Sequence, residues 1–102
     1  MDKTLKISDK QLLRGLVLNI CQVTGSMGAG LDLIYTALKK EGYVYTKEAI
    51  EAACSYLQGR NFITVSEVKN EVLGIHKIIA KITPDGTDLL EGTITAEGIQ
   101  LM

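Results

Sequence analysis

The sequence predicts an α+β fold in which three helices are followed by a β-hairpin and a short final helix. Three observations lead to this prediction. Apolar residues recur every three or four positions in 46–60, which is typical of a helix buried on one side. Residues 62–67 fit the alternation of a half-buried strand, and 72–83 is rich in Ile and Val, so the two stretches predict a hairpin. The 102 residues, 46% of them hydrophobic, are enough for one small core.

Two helices are predicted before this stretch. Ser8 and Gln11 fit a capping box, in which Ser8 caps the first helix and Gln11 reaches back to its first amide. The second helix is predicted from residue 30 to residue 41. The glycine-rich stretch 25–30 between them follows a helix and lacks the Lys-Ser/Thr pair of a phosphate-binding loop. It is therefore predicted to be a flexible helix–helix connection.

The boundaries of the later elements follow from residues with known local preferences. Thr46 is a suitable N-cap for the third helix, and Asn61 tolerates the left-handed conformation that ends it. The hairpin turn is predicted in the polar stretch 67–71. Thr83 can cap the last helix, with Pro84 at the first helical position, where its missing N–H does no harm.

The whole chain, residues 1–102, is predicted to be a single domain with its core in 8–92. The last stretch, 93–102, is apolar in patches but follows no period. It is expected either to pack back on the core or to cover a surface between subunits, and the residues leave both alternatives open.

Charge and composition limit the binding partners and the cellular location that can be expected. The formal net charge is −1, so no overall positive charge attracts the chain to nucleic acid or to an anionic membrane. No apolar run approaches the roughly 18 residues of a membrane-spanning helix, and the polar start lacks a signal-peptide pattern. A cytoplasmic location is therefore expected. Cys21 and Cys54 are predicted to be reduced, partly buried side chains, since a disulfide is rare in that compartment.

Catalysis and metal binding have no support in the sequence. His76 is the only histidine, and no cysteine or cluster of carboxylates stands near it, so no metal site is predicted. No Ser/His/Asp or Cys/His arrangement is present that could activate a nucleophile. We therefore expect neither an enzyme nor a cofactor.

Two short segments resemble a known superfamily. Residues 56–63 read Tyr-Leu-Gln-Gly-Arg-Asn-Phe-Ile, and 82–86 read Ile-Thr-Pro-Asp-Gly before the pair Leu89-Leu90. Both are similar to winged helix-turn-helix regulators of the MarR, PadR and ArsR type, in which they end the recognition helix and follow the wing. The similarity covers about 8–92, and the size and ending also resemble small winged-helix proteins of bacteriophages and prophages. The implied fold is a three-helix bundle with a helix-turn-helix, a hairpin wing and a short last helix.

The resemblance implies a small transcriptional regulator that binds double-stranded DNA, with the helix in 46–60 in the major groove and the wing turn against phosphates. The candidate DNA contacts in this sequence are Thr46, Lys47, Glu51, Ser55, Gln58, Arg60, Lys69 and Asn70. Two acidic residues of the helix offset its Lys and Arg, however, which is unfavourable for contact with phosphates. The alternative is a protein–protein interaction module of the same fold that does not bind DNA.

A homodimer is also expected. The resemblance implies one, and the apolar first helix and the tail offer more apolar surface than one small core needs. No membrane partner is predicted.

Overall fold

The computed structural model describes residues 6–101 of the chain. Within them lie four helices and a three-stranded antiparallel sheet, which agrees with the predicted α+β class. The elements in chain order are α1 (Ile7–Thr24), a 3-10 turn (Gly25–Met27), β1 (Ala29–Gly30), α2 (Leu31–Lys40), α3 (Lys47–Gly59), β2 (Ile63–Asn70), β3 (Ile75–Ile82) and α4 (Pro84–Leu90). No helix in residues 6–101 is both long and apolar enough to cross a membrane.

The first helix begins earlier than the capping-box prediction placed it. Lys6 is the N-cap, and its carbonyl accepts from the N–H of Lys10 at 3.0 Å. Ser8 therefore lies inside α1, and no side chain caps the helix. The capping-box prediction was wrong because the helical hydrogen bonds already start at Lys6, two residues before the proposed cap.

The capping predictions for α3 and α4 are confirmed. The Thr46 hydroxyl accepts from the N–H of Ala49 at 3.1 Å, and the Thr83 hydroxyl accepts from the N–H of Gly86 at 3.0 Å. Asn61 has a φ of 64°, so the chain leaves α3 through the left-handed conformation expected there. The two hydrogen bonds fix the starts of α3 and α4, and the conformation of Asn61 turns the chain from α3 towards the hairpin.

The connection after α1 is ordered, and it supplies a strand that the sequence analysis missed. β1 pairs with β3 through Ala29–Ala80 and Gly30–Ile79. Gly28, at a φ of 76°, lets the chain approach β3 closely, since a Cβ there would lie 2.6 Å from the Ile79 side chain. The flexible connection predicted for 25–30 is therefore a 3-10 turn followed by an edge strand.

The hairpin is longer than predicted. Strand β2 continues through Asn70, and its turn lies at 71–74 instead of 67–71. The Asn70 side-chain oxygen accepts from the N–H of Leu73 at 3.1 Å, and Gly74 provides the positive φ of 65°. The predicted turn was wrong because residues 67–70, three of which are polar, keep pairing with β3 on an exposed part of the hairpin.

The core lies where α1 packs against α3 and the sheet. Its members are apolar side chains from every helix, from all three strands and from the tail. They are Leu13, Leu16, Val17, Leu18, Cys21, Ala29, Ile34, Leu38, Ile50, Ala53, Cys54, Leu57, Phe62, Ile63, Ala80, Leu89 and Ile99. The periodic positions predicted for the helices thus form one continuous core.

The tail packs back on the core, which decides between the two alternatives that the sequence left open. Ile99 is buried, and the Gln100 N–H donates to the Gln11 carbonyl at 3.0 Å. Arg14 donates to the Gly98 carbonyl at 2.9 Å, and its guanidinium stacks 3.6 Å from the centre of the Tyr56 ring. Residue 102 lies outside the described residues.

Both cysteines are free and buried, as predicted. Burial raises the pKa of Cys21 to about 12, with a further contribution from Cys54. Burial, followed by the carboxylate of Glu51, raises the pKa of Cys54 to about 11. The folded chain therefore holds both thiols protonated at pH values where the thiols of an unfolded chain, with a pKa of about 8.5, have ionised.

This difference in pKa predicts a pH-dependent stability. The contribution of the neutral thiols is fully present below about pH 8.5 and falls as the pH rises towards the folded pKa values, because the unfolded chain then releases protons that the folded chain keeps. We expect urea unfolding to show a falling free energy of unfolding above about pH 8.5. The double variant Cys21→Ala/Cys54→Ala is less stable overall, but its decline with pH is shallower. An equally steep decline in that variant would contradict the assignment to the thiols.

Candidate binding surface

A concave surface lies between the first turn of α2, the exposed side of α3 and the strand β3. It consists of two adjoining pockets, one of about 410 Å³ and one of about 190 Å³, and we call it the α3 cleft. The larger pocket is lined by Gly28, Gly30, Leu31, Asp32, Leu33, Lys47, Ile50, Glu51, His76, Lys77, Ile78 and Ile79. The smaller pocket is lined by Leu31, Glu51, Cys54, Ser55, Gln58, Val65 and Ile78.

The floor of the cleft is apolar because of the register of the hairpin. Ile63 pairs with Ile82 and Val65 with Ala80, and such opposite residues point to the same face of a sheet. Ile78 lies on this face too, two residues from Ala80. Ile63 and Ala80 are buried in the core, whereas Val65 and Ile78 continue the apolar face into the cleft. The core of the molecule therefore extends to a solvent-open surface.

The charged groups around the cleft largely offset each other. The Lys47 ammonium lies 3.5 Å from the Asp32 carboxylate and 5.8 Å from the centre of the Tyr35 ring. Because both ion-pair side chains are mostly exposed, this pair contributes at most about 1 kcal/mol to stability. Glu51 and Lys77 complete the charged lining, with one negative and one positive group. The cleft thus has no excess of positive charge.

His76 and Cys54 both line the cleft. The His76 Nε2 atom contacts a carboxylate oxygen of Glu67 across the hairpin, and both side chains are exposed. The raised pKa of Cys54 keeps its thiol protonated, so it is a poor nucleophile. In the described part of the chain no group of three or more His, Cys, Asp and Glu side chains could hold a metal ion.

Four of the eight residues predicted to contact DNA lie together in the cleft. Lys47 and Glu51 line the larger pocket, and Ser55 and Gln58 line the smaller one. The helical period of α3 places these four side chains on its exposed side, as the sequence analysis expected. Glu51 lines both pockets and lies at the middle of the surface.

The other four predicted residues do not line the cleft. The Thr46 hydroxyl caps α3, and the Arg60 guanidinium donates to the Tyr56 hydroxyl at 3.2 Å. Lys69 and Asn70 were expected in the hairpin turn, but both belong to β2. Their side chains precede the turn because the strand pairing continues to Asn70, opposite Ile75.

The sequence analysis missed the residues that give the cleft its apolar and neutral character. Leu31, Asp32 and Leu33 come from the first turn of α2, and Ile78 and Ile79 from the middle of β3. The short strand β1 brings the start of α2 beside β3 and so helps to place these distant segments together. A sequence signal for that approach is the glycine pair at 28 and 30, which permits close backbone contact.

No protein-family model matches this chain, and a comparison with curated proteins finds no match either. The function proposed below therefore rests on the geometry and chemistry of residues 6–101.

Proposed function

We propose that this chain is a winged-helix domain that binds a protein partner through the α3 cleft. The order of elements supports the fold: a helix, a short strand, two further helices and a hairpin whose second strand pairs with the short one. The resemblance of residues 56–63 and 82–90 to winged-helix regulators is in keeping with that order.

The main support for a protein-binding function is the composition of the cleft. Leu31, Leu33 and Ile78 expose apolar side-chain surface within it, and the charges at its rim cancel. An apolar side chain of a partner that enters such a cleft releases water from both surfaces, which favours association. The rim carries groups of both signs, so it can pair with either acidic or basic side chains of a partner. Such pairs determine the orientation of the bound partner more than they increase its affinity.

DNA binding fits this surface less well. Affinity for DNA comes mainly from Lys and Arg side chains that neutralise several phosphates. Lys47, in the first turn of α3, is already paired with Asp32, and Glu48 and Glu51 on the same helix repel phosphates. Arg60 contacts the Tyr56 hydroxyl outside the cleft.

A DNA-binding transcriptional regulator is the second candidate, because one feature of α3 favours it. Ser55 and Gln58 are exposed on the same side of the helix. Hydroxyl and amide side chains of this kind can read base edges in the major groove. In the winged-helix regulators that the sequence resembles, the helix before the hairpin is the one that contacts DNA, and α3 has that place in the chain.

One cross-linking experiment tests both candidates. A photo-reactive amino acid replaces Ser55, which is exposed in the cleft, and cells that produce the full chain are irradiated. We expect a covalent adduct with a polypeptide that resists nuclease. The same probe at Gln22, which is exposed on α1 and outside the cleft, is the matched control and should not give this adduct.

The specificity of the adduct is checked with the variant Leu33→Asp, which places a charge on the half-exposed rim of the cleft. This variant should abolish the adduct from Ser55. A nuclease-sensitive adduct would favour the DNA-binding candidate instead. Equal labelling from Ser55 and Gln22, or labelling unchanged by Leu33→Asp, would overturn the assignment of the cleft as the binding surface.

A further inference from the structure

One edge of β3 is open beyond the end of β1. β1 pairs with β3 only at Ile79 and Ala80, whereas β3 starts at Ile75. The other edge of β3 is closed, because β2 pairs with it from Ile75 to Ile82. The start of α2 follows β1 directly, so no strand of residues 6–101 continues along the open edge beside 75–77.

The backbone groups of His76 point to this open edge. The Ala80 carbonyl faces β1, since a Cβ on Gly28 would lie 3.1 Å from its oxygen. Alternate residues of a strand direct their N–H and C=O groups to the same side, and His76 is four residues before Ala80. Its N–H and C=O therefore face away from β2, whereas those of Lys77 face β2. A strand edge with such groups is a template for another strand.

The open edge borders the α3 cleft. Four consecutive residues of β3, 76–79, line the larger pocket. Successive side chains of a strand point to opposite faces, so a pocket lined by all four reaches the edge of the strand. Leu31 and Leu33 at the start of α2 line the same pocket. The free backbone groups of β3 and an apolar surface therefore lie together.

We propose that the α3 cleft binds its protein partner as an extended peptide, which adds to the open edge of β3 as a further antiparallel strand. This use of the cleft rests on its proposed function and defines the form of the partner. One peptide residue lies opposite His76 and exchanges both backbone hydrogen bonds with it. The added strand continues the line of β1, which already pairs with β3 in this way. A helix does not suit this edge, because its own N–H and C=O groups are paired.

The register defines the side chain that enters the cleft. Opposite residues of antiparallel strands point to the same face. His76 shares a face with Ile78, which continues the apolar face of the sheet into the cleft. The peptide residue opposite His76 therefore directs its side chain towards the apolar surface of Leu31, Leu33 and Ile78. The pocket of about 410 Å³ has room for a large apolar side chain, since about 150 Å³ accommodates benzene.

Charge defines the preceding residue of the peptide, which lies opposite Lys77 on the other face of the sheet. Lys77 is exposed and forms no ion pair within residues 6–101. Its face of the hairpin contains no acidic residue. The face consists of Thr64, Ser66, Val68, Asn70, Ile75, Lys77, Ile79 and Lys81. An acidic peptide residue at this position complements Lys77, so the cleft should select an acidic residue that is directly followed by an apolar one.

A peptide with the sequence Thr-Thr-Glu-Leu-Val-Thr-Thr and blocked ends tests strand addition. It is titrated into the isotope-labelled full chain and followed by nuclear magnetic resonance. We expect exchange of the His76 amide proton with water to slow about tenfold when the free peptide is at ten times its dissociation constant. The Lys77 amide faces β2 and should change little.

Methylation of single peptide nitrogens separates strand addition from other modes of binding. A methyl group on the Leu nitrogen removes the N–H that donates to the His76 carbonyl and collides with β3. The dissociation constant should rise at least about tenfold. A methyl group on the Glu nitrogen is the matched control, because that N–H points away from β3. This peptide should bind within about twofold of the unmodified one.

A charge exchange tests the register. Lys77→Glu should raise the dissociation constant of the peptide about twofold to fivefold, and a peptide with Lys in place of Glu should recover the affinity. Lys69→Glu is the control, since Lys69 is exposed on β2, away from the open edge, and it should have little effect. Thermal unfolding checks that both variants are folded.

Three results would each overturn strand addition: no binding of the peptide at millimolar concentration, equal effects of the two methyl groups, or unchanged exchange at His76. The protein-binding function is judged separately, because the adduct from Ser55 does not depend on the backbone conformation of the partner. A polypeptide adduct together with any of these three results would retain the cleft as a protein-binding surface and exclude the added strand.

Discussion

Leu38→Ala is expected to lower the free energy of unfolding by about 2–5 kcal/mol, the range for removing a buried Leu side chain and leaving a cavity. Leu38 is only 3% exposed, and it fixes α2 to the core. The substitution keeps a residue with high helix propensity, so the loss reports packing and not helix formation. Chemical denaturation followed by circular dichroism measures the change.

Leu33→Ala is the matched control on the same helix. Leu33 is 49% exposed, so the same substitution should cost less than about 1 kcal/mol. Because Leu33 also lines the α3 cleft, both variants are compared at the same low protein concentration and without any partner. Similar losses at the two positions would contradict the orientation of α2, in which Leu38 faces the core and Leu33 the cleft.

The helices could be predicted because their signals are local. The buried side of α3 follows from apolar residues at helical spacing, and its cap follows from the hydroxyl of Thr46 three residues before the N–H of Ala49. Asn61 and Thr83 likewise act through neighbouring backbone groups. Interactions across three or four residues depend little on the rest of the fold, which is why these predictions were confirmed.

The sheet was predicted less completely because its signals are not local. β1 has two residues, and it exists because Gly28 allows the chain to approach β3, about fifty residues later in the sequence. The position of the hairpin turn depends on which residues pair, and polarity alone does not end a strand that lies in solvent. Residues 67–70, three of which are polar, were therefore predicted to lie in a turn, although they extend β2.

The candidate site could be predicted only in part for the same reason. The exposed side of α3 was found from its helical period, and it carries Ser55, Gln58 and Glu51 as expected. The approach of Asp32 to Lys47, which offsets the positive charge at the start of α3, depends on the distance between two helix ends. No pattern within either helix encodes that distance. The preference for a protein partner over DNA therefore depends on a contact that no local sequence pattern encodes.

The tail is the clearest case of a contact that the sequence does not reveal, and it leads to an unusual prediction for Gly15. Replacing a glycine inside a helix by alanine normally stabilises the helix by up to about 1 kcal/mol. Here a Cβ at residue 15 would overlap the carbonyl oxygen of Gln100, whose carbon would be 3.0 Å away. Gly15 is therefore the position at which the tail crosses α1.

Gly15→Ala is expected to destabilise the chain by about 1–3 kcal/mol, because displacing the tail exposes Ile99 and breaks hydrogen bonds, which outweighs the gain in helix propensity. Gly59→Ala is the control: Gly59 ends α3, and no atom lies within 4 Å of a Cβ there. That variant should be unchanged or slightly more stable. Both are measured by urea denaturation at neutral pH.

A truncation isolates the role of the tail in this effect. Removing residues 98–102 deletes Ile99 and Gln100 and should itself destabilise the chain, because Arg14 also loses its hydrogen bond to the Gly98 carbonyl. In the truncated chain nothing opposes a methyl group at residue 15, so Gly15→Ala should become stabilising through helix propensity alone. The change in the free energy of unfolding caused by Gly15→Ala thus changes sign when the tail is removed. The double-mutant cycle gives the coupling energy between residue 15 and the tail. If Gly15→Ala destabilises the truncated chain as much as the full one, the clash lies elsewhere and the tail does not cross α1 at this glycine.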